Sequence, residues 1–203
     1  PNATTVGLFE TVGIRYDSTE VIIKNLHIKD SYFLGKSSSG LIGIANDVKK
    51  LQLINVSSQS YVYGDYGVAA GLVGKFDRSN QYGCYALDII NSYHEGNVEG
   101  YYNVGGIVGN ISNSNTNFID VYHTGTVTSK SDAGGLIGNI DSKNCPVRMA
   151  YVFNNGQVNS GFFSGGLVGK SSYYNNKILV QNADSVGDVR SPSDATGGLI
   201  GQI

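Results

Sequence analysis

The sequence predicts an all-β fold, a parallel β-helix (β-solenoid) of six to seven coils, on three observations. A glycine-bracketed aliphatic motif recurs six times, as Gly40-Leu-Ile-Gly43, Gly71-Leu-Val-Gly74, Gly106-Ile-Val-Gly109, Gly135-Leu-Ile-Gly138, Gly166-Leu-Val-Gly169 and Gly198-Leu-Ile-Gly201, with closing glycines 31, 35, 29, 31 and 32 residues apart. Out of phase with it runs a looser element, an apolar strand ending in Gly-x-Val: Ile90 to Gly96 and Val98, Val121 to Gly125 and Val127, Val152 to Gly156 and Val158, and more weakly Val180 to Gly187 and Val189. The composition also suits a pleated backbone. Gly, at 28 of 203 residues, is about twice its usual share, charged residues at 15% fall below the customary quarter or so, and Val, Ile, Tyr and Thr are plentiful.

Two motifs recurring out of phase in constant order imply one coil per repeat of about 31 residues. Helical arrays of similar period need two helices per unit, and the Gly-Leu-Val-Gly core would break them, since each interior glycine costs about 1 kcal/mol relative to alanine. Propeller blades run to about 40 residues or more and carry four strands. In a solenoid each coil buries its inward side chains only against its neighbours, and parallel pairing sets equivalent positions over one another. Leu41, Leu72, Ile107, Leu136, Leu167 and Leu199 are therefore expected to form one aliphatic ladder, and Ile42, Val73, Val108, Ile137, Val168 and Ile200 a second. Adjacent residues of a straight strand face opposite ways. Either the motif turns a corner, or the second ladder packs under a loop or a partner. Residues 40–203 hold the repeats; residues 1–39, with Gly7-Leu-Phe-Glu-Thr-Val-Gly13, read as a degenerate first coil. Val21 to Gly35 and Leu51 to Gly64 keep the strand but lose the Gly-x-Val ending. No linker or composition shift divides the chain, which reads as a single domain, residues 1–203, belonging to a longer protein. At about 4.8 Å per coil, the rod is expected to be on the order of 30 Å long.

Gly-Leu-(Val/Ile)-Gly, usually preceded by another glycine and followed about fifteen residues later by a strand ending in Gly-x-Val, resembles the GLUG repeat. The resemblance covers nearly the whole chain from about Gly40. Such repeats occur in large bacterial surface and secreted proteins, including adhesin-like proteins and the non-catalytic regions of immunoglobulin A-cleaving metallopeptidases. The resemblance implies a right-handed β-helix with a structural or adhesive role, and it brings no catalytic residues with it.

A formal charge of -2, with Lys and Arg scattered singly, leaves no basic face for nucleic acid or an anionic membrane. No apolar run approaches the roughly 20 residues that span a bilayer. Gly165-Gly-Leu-Val-Gly-Lys170-Ser171 ends like a phosphate-binding loop, but Ser164 stands where that loop needs its first glycine, and the repeat predicts a strand there. Cys84 and Cys145 fall about two coils apart, roughly 10 Å along the axis against a Cα limit near 7 Å, and are expected to be separate thiols. His94 and His123 follow Tyr93 and Tyr122 at equivalent points of neighbouring coils and are expected to stack as a surface ladder. The next equivalent positions, Asn154 and Ser185, leave a metal site short of ligands. His27 has no evident partner. Asp88, Asp120, Asp184 and Asp188 do not share one repeat position or cluster with arginine, unlike the paired acids of a glycosidase. The 14 tyrosines, paired as Tyr101-Tyr102 and Tyr173-Tyr174 or close together as Tyr61, Tyr63 and Tyr66, sit mostly near predicted turns. There they either cover glycine-rich backbone or stack on a sugar or protein partner.

The expectation is a non-enzymatic extracellular or cell-surface module, without cofactor or metal, acting as a rigid spacer or an adhesive surface toward a protein or glycan. Tyr101, Tyr102, Tyr173 and Tyr174 are its candidate ligand contacts. Two alternatives stand beside it. One is a subunit that stacks copies of itself into filaments through the solenoid ends; the other is a carbohydrate-active β-helix enzyme.

Overall fold

A computed structural model describes residues 4–13, 19–78, 83–172, 177–192 and 195–203. Among these residues all regular structure is β-strand. Each coil runs through three faces. In one coil these are Tyr85–Glu95, Val98–Gly105 and Val108–Ser112. The next coil repeats them as Ser114–Thr124, then Val127–Ser129 with Ala133–Gly134, then Ile137–Asp141. Pairing is parallel and joins residues one coil apart. The third faces form a seven-stranded sheet of their own, from Phe9–Val12 to Ile200–Gln202, and the other two faces share a 15-stranded sheet. The degenerate opening is a true rung, since Phe9 pairs with Ile42 and so sets Gly7 and Leu8 level with Gly40 and Leu41.

The glycine-bracketed motif is the corner between the second and third faces. Leu41, Leu72, Ile107, Leu136 and Leu167, and beside them Ile42, Val73, Val108, Ile137 and Val168, are all buried in one core, while Leu199 is 41% exposed in the last rung. A forked hydrogen bond makes this bend. The Ile107 carbonyl accepts from the amides of Leu72 and Val73, both at 3.0 Å, and the Leu136 carbonyl from those of Ile107 and Val108, both at 2.9 Å. Two consecutive side chains thereby enter the core, which a straight strand forbids. Close stacking also explains the glycines. A Cβ on Gly71, Gly106 or Gly135 would fall inside 3 Å of the opening glycine's carbonyl one coil on. One on Gly74, Gly138 or Gly169 would fall equally close to the closing glycine's carbonyl one coil back.

Gly-x-Val is the corner between the first and second faces. Gly96 and Gly125 sit at φ +138° and +128°, a region that side-chain-bearing residues avoid. Val98, Val127 and Val158 then enter a smaller core with Val62, Val104 and Ala133. The register corrects the reading of the first two coils. Gly64 stands level with Gly35 and Gly100, so the corner equivalent to Gly96 is Ser60 and, one coil earlier, Ser31.

Cys84 and Cys145 form a disulfide with Cα atoms 5.8 Å apart, which overturns the expectation of separate thiols. Both lie in connections ahead of their strands, Tyr85–Glu95 and Val147–Asn155, where the fixed rise of the ladder does not apply. The connection before Cys145 reaches back over the intervening coil, its Lys143 amide donating to Asn113 Oδ1 at 3.4 Å.

Two outcomes follow from this packing. Gly106→Ala is expected to destabilise the protein by more than about 3 kcal/mol and Gly198→Ala, whose Cβ would meet nothing within 4 Å, by less than about 0.5 kcal/mol in thermal melts. The disulfide closes a loop with a sequence separation of 61, so urea melts with and without reductant are expected to differ by roughly 4 kcal/mol in the chain-entropy account.

Candidate functional site

Two groups of aromatic residues make ring contacts across coils. Tyr93, Tyr122 and Phe153 share one register position on the outside of the first face, and their rings stack at 4.6 and 4.8 Å with planes within 6°. The coil rise matches the stacking distance of aromatic rings. Their inner faces therefore satisfy one another, and these mid-strand rings pack rather than cover turns.

The second group lies on the N-terminal coils, where the second face begins. Val62 enters the smaller core, so alternation turns Tyr61 and Tyr63 outward. Tyr32, level with Tyr61 on the coil before, lies with its ring centroid 6.3 Å away. The register slips between Gly64 and Val68, and this bulge lifts Tyr66 beside Tyr101 of the next coil, centroids 6.3 Å apart and planes 21° apart. Tyr102 tilts against Tyr101 at 4.7 Å. Tyr32 is 77% exposed, Tyr66 67%, Tyr102 51% and Tyr101 40%, which makes this an open aromatic patch. A cavity of about 310 Å³ opens among Tyr63, Asp65, Tyr66, Glu99, Tyr101 and Lys130. The Tyr63 hydroxyl donates to Asp65 Oδ1 at 3.4 Å, and the Asp65 charge is the largest cause of its raised pKa. Burial, then the nearby Glu99 carboxylate, raises that of Tyr61.

Of the four expected contacts, Tyr101 and Tyr102 lie in this patch, whereas Tyr173 and Tyr174 lie outside the described residues. Sequence reading singled out neither Tyr32 nor the carboxylates. A signal for the bulge was present: Val62 to Gly71 is one residue longer than Val98 to Gly106 or Val127 to Gly135.

Inside the rod, one register position is polar through five coils: Ser58, His94, His123, Asn154 and Ser185. His94 and His123 do stack, at 5.3 Å and 9°, but they are fully buried rather than a surface ladder. The cause is alternation: Tyr93 and Tyr122 point outward, so the next residue faces in. These side chains fill the space that a Cβ on Gly71, Gly106 or Gly135 would take. Each also holds the first corner. His94 Nε2–H donates to the Ser60 carbonyl at 3.0 Å and Asn154 Nδ2 to that of Gly156 at 3.0 Å, while His123 has Nε2 3.1 Å from the Gly96 carbonyl and Nδ1 3.0 Å from Asn154 Oδ1. Burial, and then the neighbouring His123, push the His94 pKa down to about 3, and burial lowers that of His123. His27, expected to stand alone, has Nδ1 2.8 Å from Ser57 Oγ. Among the described residues, no three His, Cys, Asp or Glu side chains converge as metal ligands.

The acids are dispersed. Asp88 accepts from Gln52 Nε2 at 3.1 Å and Asn117 Nδ2 at 2.7 Å. Asp120 is level with Tyr151 and Asp184 with Phe153, so they hold different register positions, although both line a shallow outer cavity of about 770 Å³. Asp188 pairs with Arg190, which corrects the expectation that none of these acids meets arginine. The segment ending in Lys170-Ser171 is a strand, Val168–Ser171, as the repeat requires.

These features define a β-solenoid whose inward polar residues brace its corners and which carries an open tyrosine patch on its N-terminal coils. No family model matches the sequence, and no curated protein does. Among solved structures it is similar to "a putative immunoglobulin A1 protease from Bacteroides ovatus", with a TM-score of 0.57 and 19% identity over 98% of this chain and 65% of that one. The chain thus spans just under two thirds of that protein. At this identity the likeness is one of fold.

The buried imidazoles make stability pH-dependent. His94 titrates near 6.5 when unfolded and at about 3 when folded, so between those values the unfolded chain binds the extra proton. Its contribution is whole above about pH 6.5 and is lost as pH falls toward 3, by up to about 1.4 kcal/mol per pH unit. Urea melts from pH 7 to about pH 4 are expected to show this slope, and His94→Asn to flatten it.

Proposed function

We propose that the chain is a non-enzymatic extracellular module, a rigid solenoid that spaces and presents an adhesive contact surface to a protein or glycan. The observation that carries this reading is the gathering of Tyr32, Tyr66, Tyr101 and Tyr102 in the open on one side of a cross-linked rod. Tyrosine offers large contact area, a polar tip and few rotatable bonds, which suits a recognition surface. Stacked coils hold such a surface stiffly, because every strand of the patch is paired into the sheet. The disulfide supports an oxidising compartment. The likeness in fold to a protein named as an immunoglobulin A1 protease, together with the resemblance to GLUG repeats, supports a secreted or surface setting. That protein's activity is not carried over, since a likeness at 19% identity is one of fold.

An array of host-surface glycans and extracellular-matrix proteins, probed with the chain and with Tyr66→Ala/Tyr101→Ala, tests the reading. Binding at least tenfold weaker in the variant, with unchanged circular dichroism, is expected. Equal binding by both proteins contradicts the patch. Cleavage of immunoglobulin A1 or a glycan by the chain, abolished by one acid substitution, overturns the non-enzymatic assignment.

A further inference from the structure

Building on that reading, we infer that the cavity between Tyr66 and Tyr101 is a cation cage that takes a lysine or arginine side chain from a partner protein. Tyr63, Tyr66 and Tyr101 surround about 310 Å³ together with Asp65, Glu99 and Lys130, so two acids face one base and the site carries net negative charge. Neither acid is neutralised. Among the described residues the ion pairs are Lys50–Asp88, Lys75–Asp77 and Arg190–Asp188, and none involves Asp65 or Glu99. Tyrosines stand beside them instead: the Tyr63 hydroxyl donates to Asp65 Oδ1 at 3.4 Å, and Glu99 is level with Tyr63 in the sheet. A hydroxyl can orient a carboxylate but cannot cancel its charge. An incoming ammonium or guanidinium can do so.

The rings supply the second half of the site. Tyr66 and Tyr101 are near parallel, yet their centroids stand 6.3 Å apart where the filled stacks of this protein measure 4.6 and 4.8 Å. That wider spacing, with Tyr66 67% and Tyr101 40% exposed, leaves ring surface open to solvent. An aromatic face is the negative pole of its quadrupole and attracts a cation within about 6 Å of the centroid. The chain uses the same interaction internally, with Arg78 4.1 Å from the Tyr85 centroid and Lys170 5.0 Å from that of Phe163. A neutral sugar would find hydrogen-bond acceptors here but would leave both carboxylates uncompensated. The charge balance therefore favours a basic protein segment.

The test follows the labelled tyrosine rings of the full chain by NMR during titration with an acetyl-Gly-Arg-Gly-amide peptide, its neutral citrulline counterpart and chitotetraose. Saturable shifts of Tyr63, Tyr66 and Tyr101 are expected with the arginine peptide. They should weaken at least tenfold with citrulline and with Asp65→Asn/Glu99→Gln, persist in Tyr101→Phe, and fade as salt rises. No shift, an equal response to citrulline, or shifts with chitotetraose alone would overturn the cage. Those results leave the array experiment intact: patch-dependent adhesion without arginine selectivity sinks only the cage, whereas loss of patch dependence on the array sinks the parent reading.

Discussion

The structure depends on one repeated event, the forked hydrogen bond at which a corner carbonyl accepts two consecutive amides from the coil before. Leu72, Ile107, Leu136, Leu167 and Leu199 each provide that carbonyl. The fork bends the chain between two aliphatic residues and sends both into the core. It also brings successive coils so close that, inside the stack, a side chain on either bracketing glycine would collide with backbone. Glycine at these positions is therefore a demand of packing between coils rather than of local flexibility.

Around this corner, the remaining polar features are braces. The polar column spans the interior between the opening glycines and the carbonyls of the first corner: His94 and His123 reach the first corner of the coil before and Asn154 that of its own, and each packs against the opening glycine of the coil before. Buried polar groups are tolerated where they are hydrogen-bonded; the Ser60 carbonyl holds His94 in its Nε2–H tautomer, whereas His123 faces an acceptor at each ring nitrogen, the Gly96 carbonyl and Asn154 Oδ1. His94 Nδ1 has no partner in this arrangement. On the outside, the disulfide joins two coils across a third. The rod is thus braced from within and clasped from without, and the tyrosine patch sits on its stiff wall.

Much of this was legible in the sequence because in-register stacking turns spacing into contact. The two ladders, the strand nature of the Lys170 segment and the degenerate first rung all follow from period alone. Period says less about orientation. The outward place of Tyr93 and the inward place of His94 depend on a left-handed residue within the first face, at Asn25, Asn55, Asn91, Asp120, Tyr151 and Asn182, with φ between +47° and +57°. Asn and Asp tolerate that conformation and Tyr rarely does. A column of Asn and Asp standing 15 or 16 residues ahead of each opening glycine was the available signal, obscured by Tyr151. The disulfide was hidden for a related reason. Cys84 and Cys145 lie in connections, where the strand rise places no limit on approach. The cage was hidden because Tyr66 joins Tyr101 only through a one-residue bulge.

Residue-resolved hydrogen exchange tests the central claim most directly. If the forked corner carries the fold, the amides of Leu72, Val73, Ile107, Val108, Leu136 and Ile137 exchange only through global unfolding and report the same, largest free energy in the molecule. Exchange of those amides at rates typical of open turns, while the strands of the first face remain protected, would contradict it.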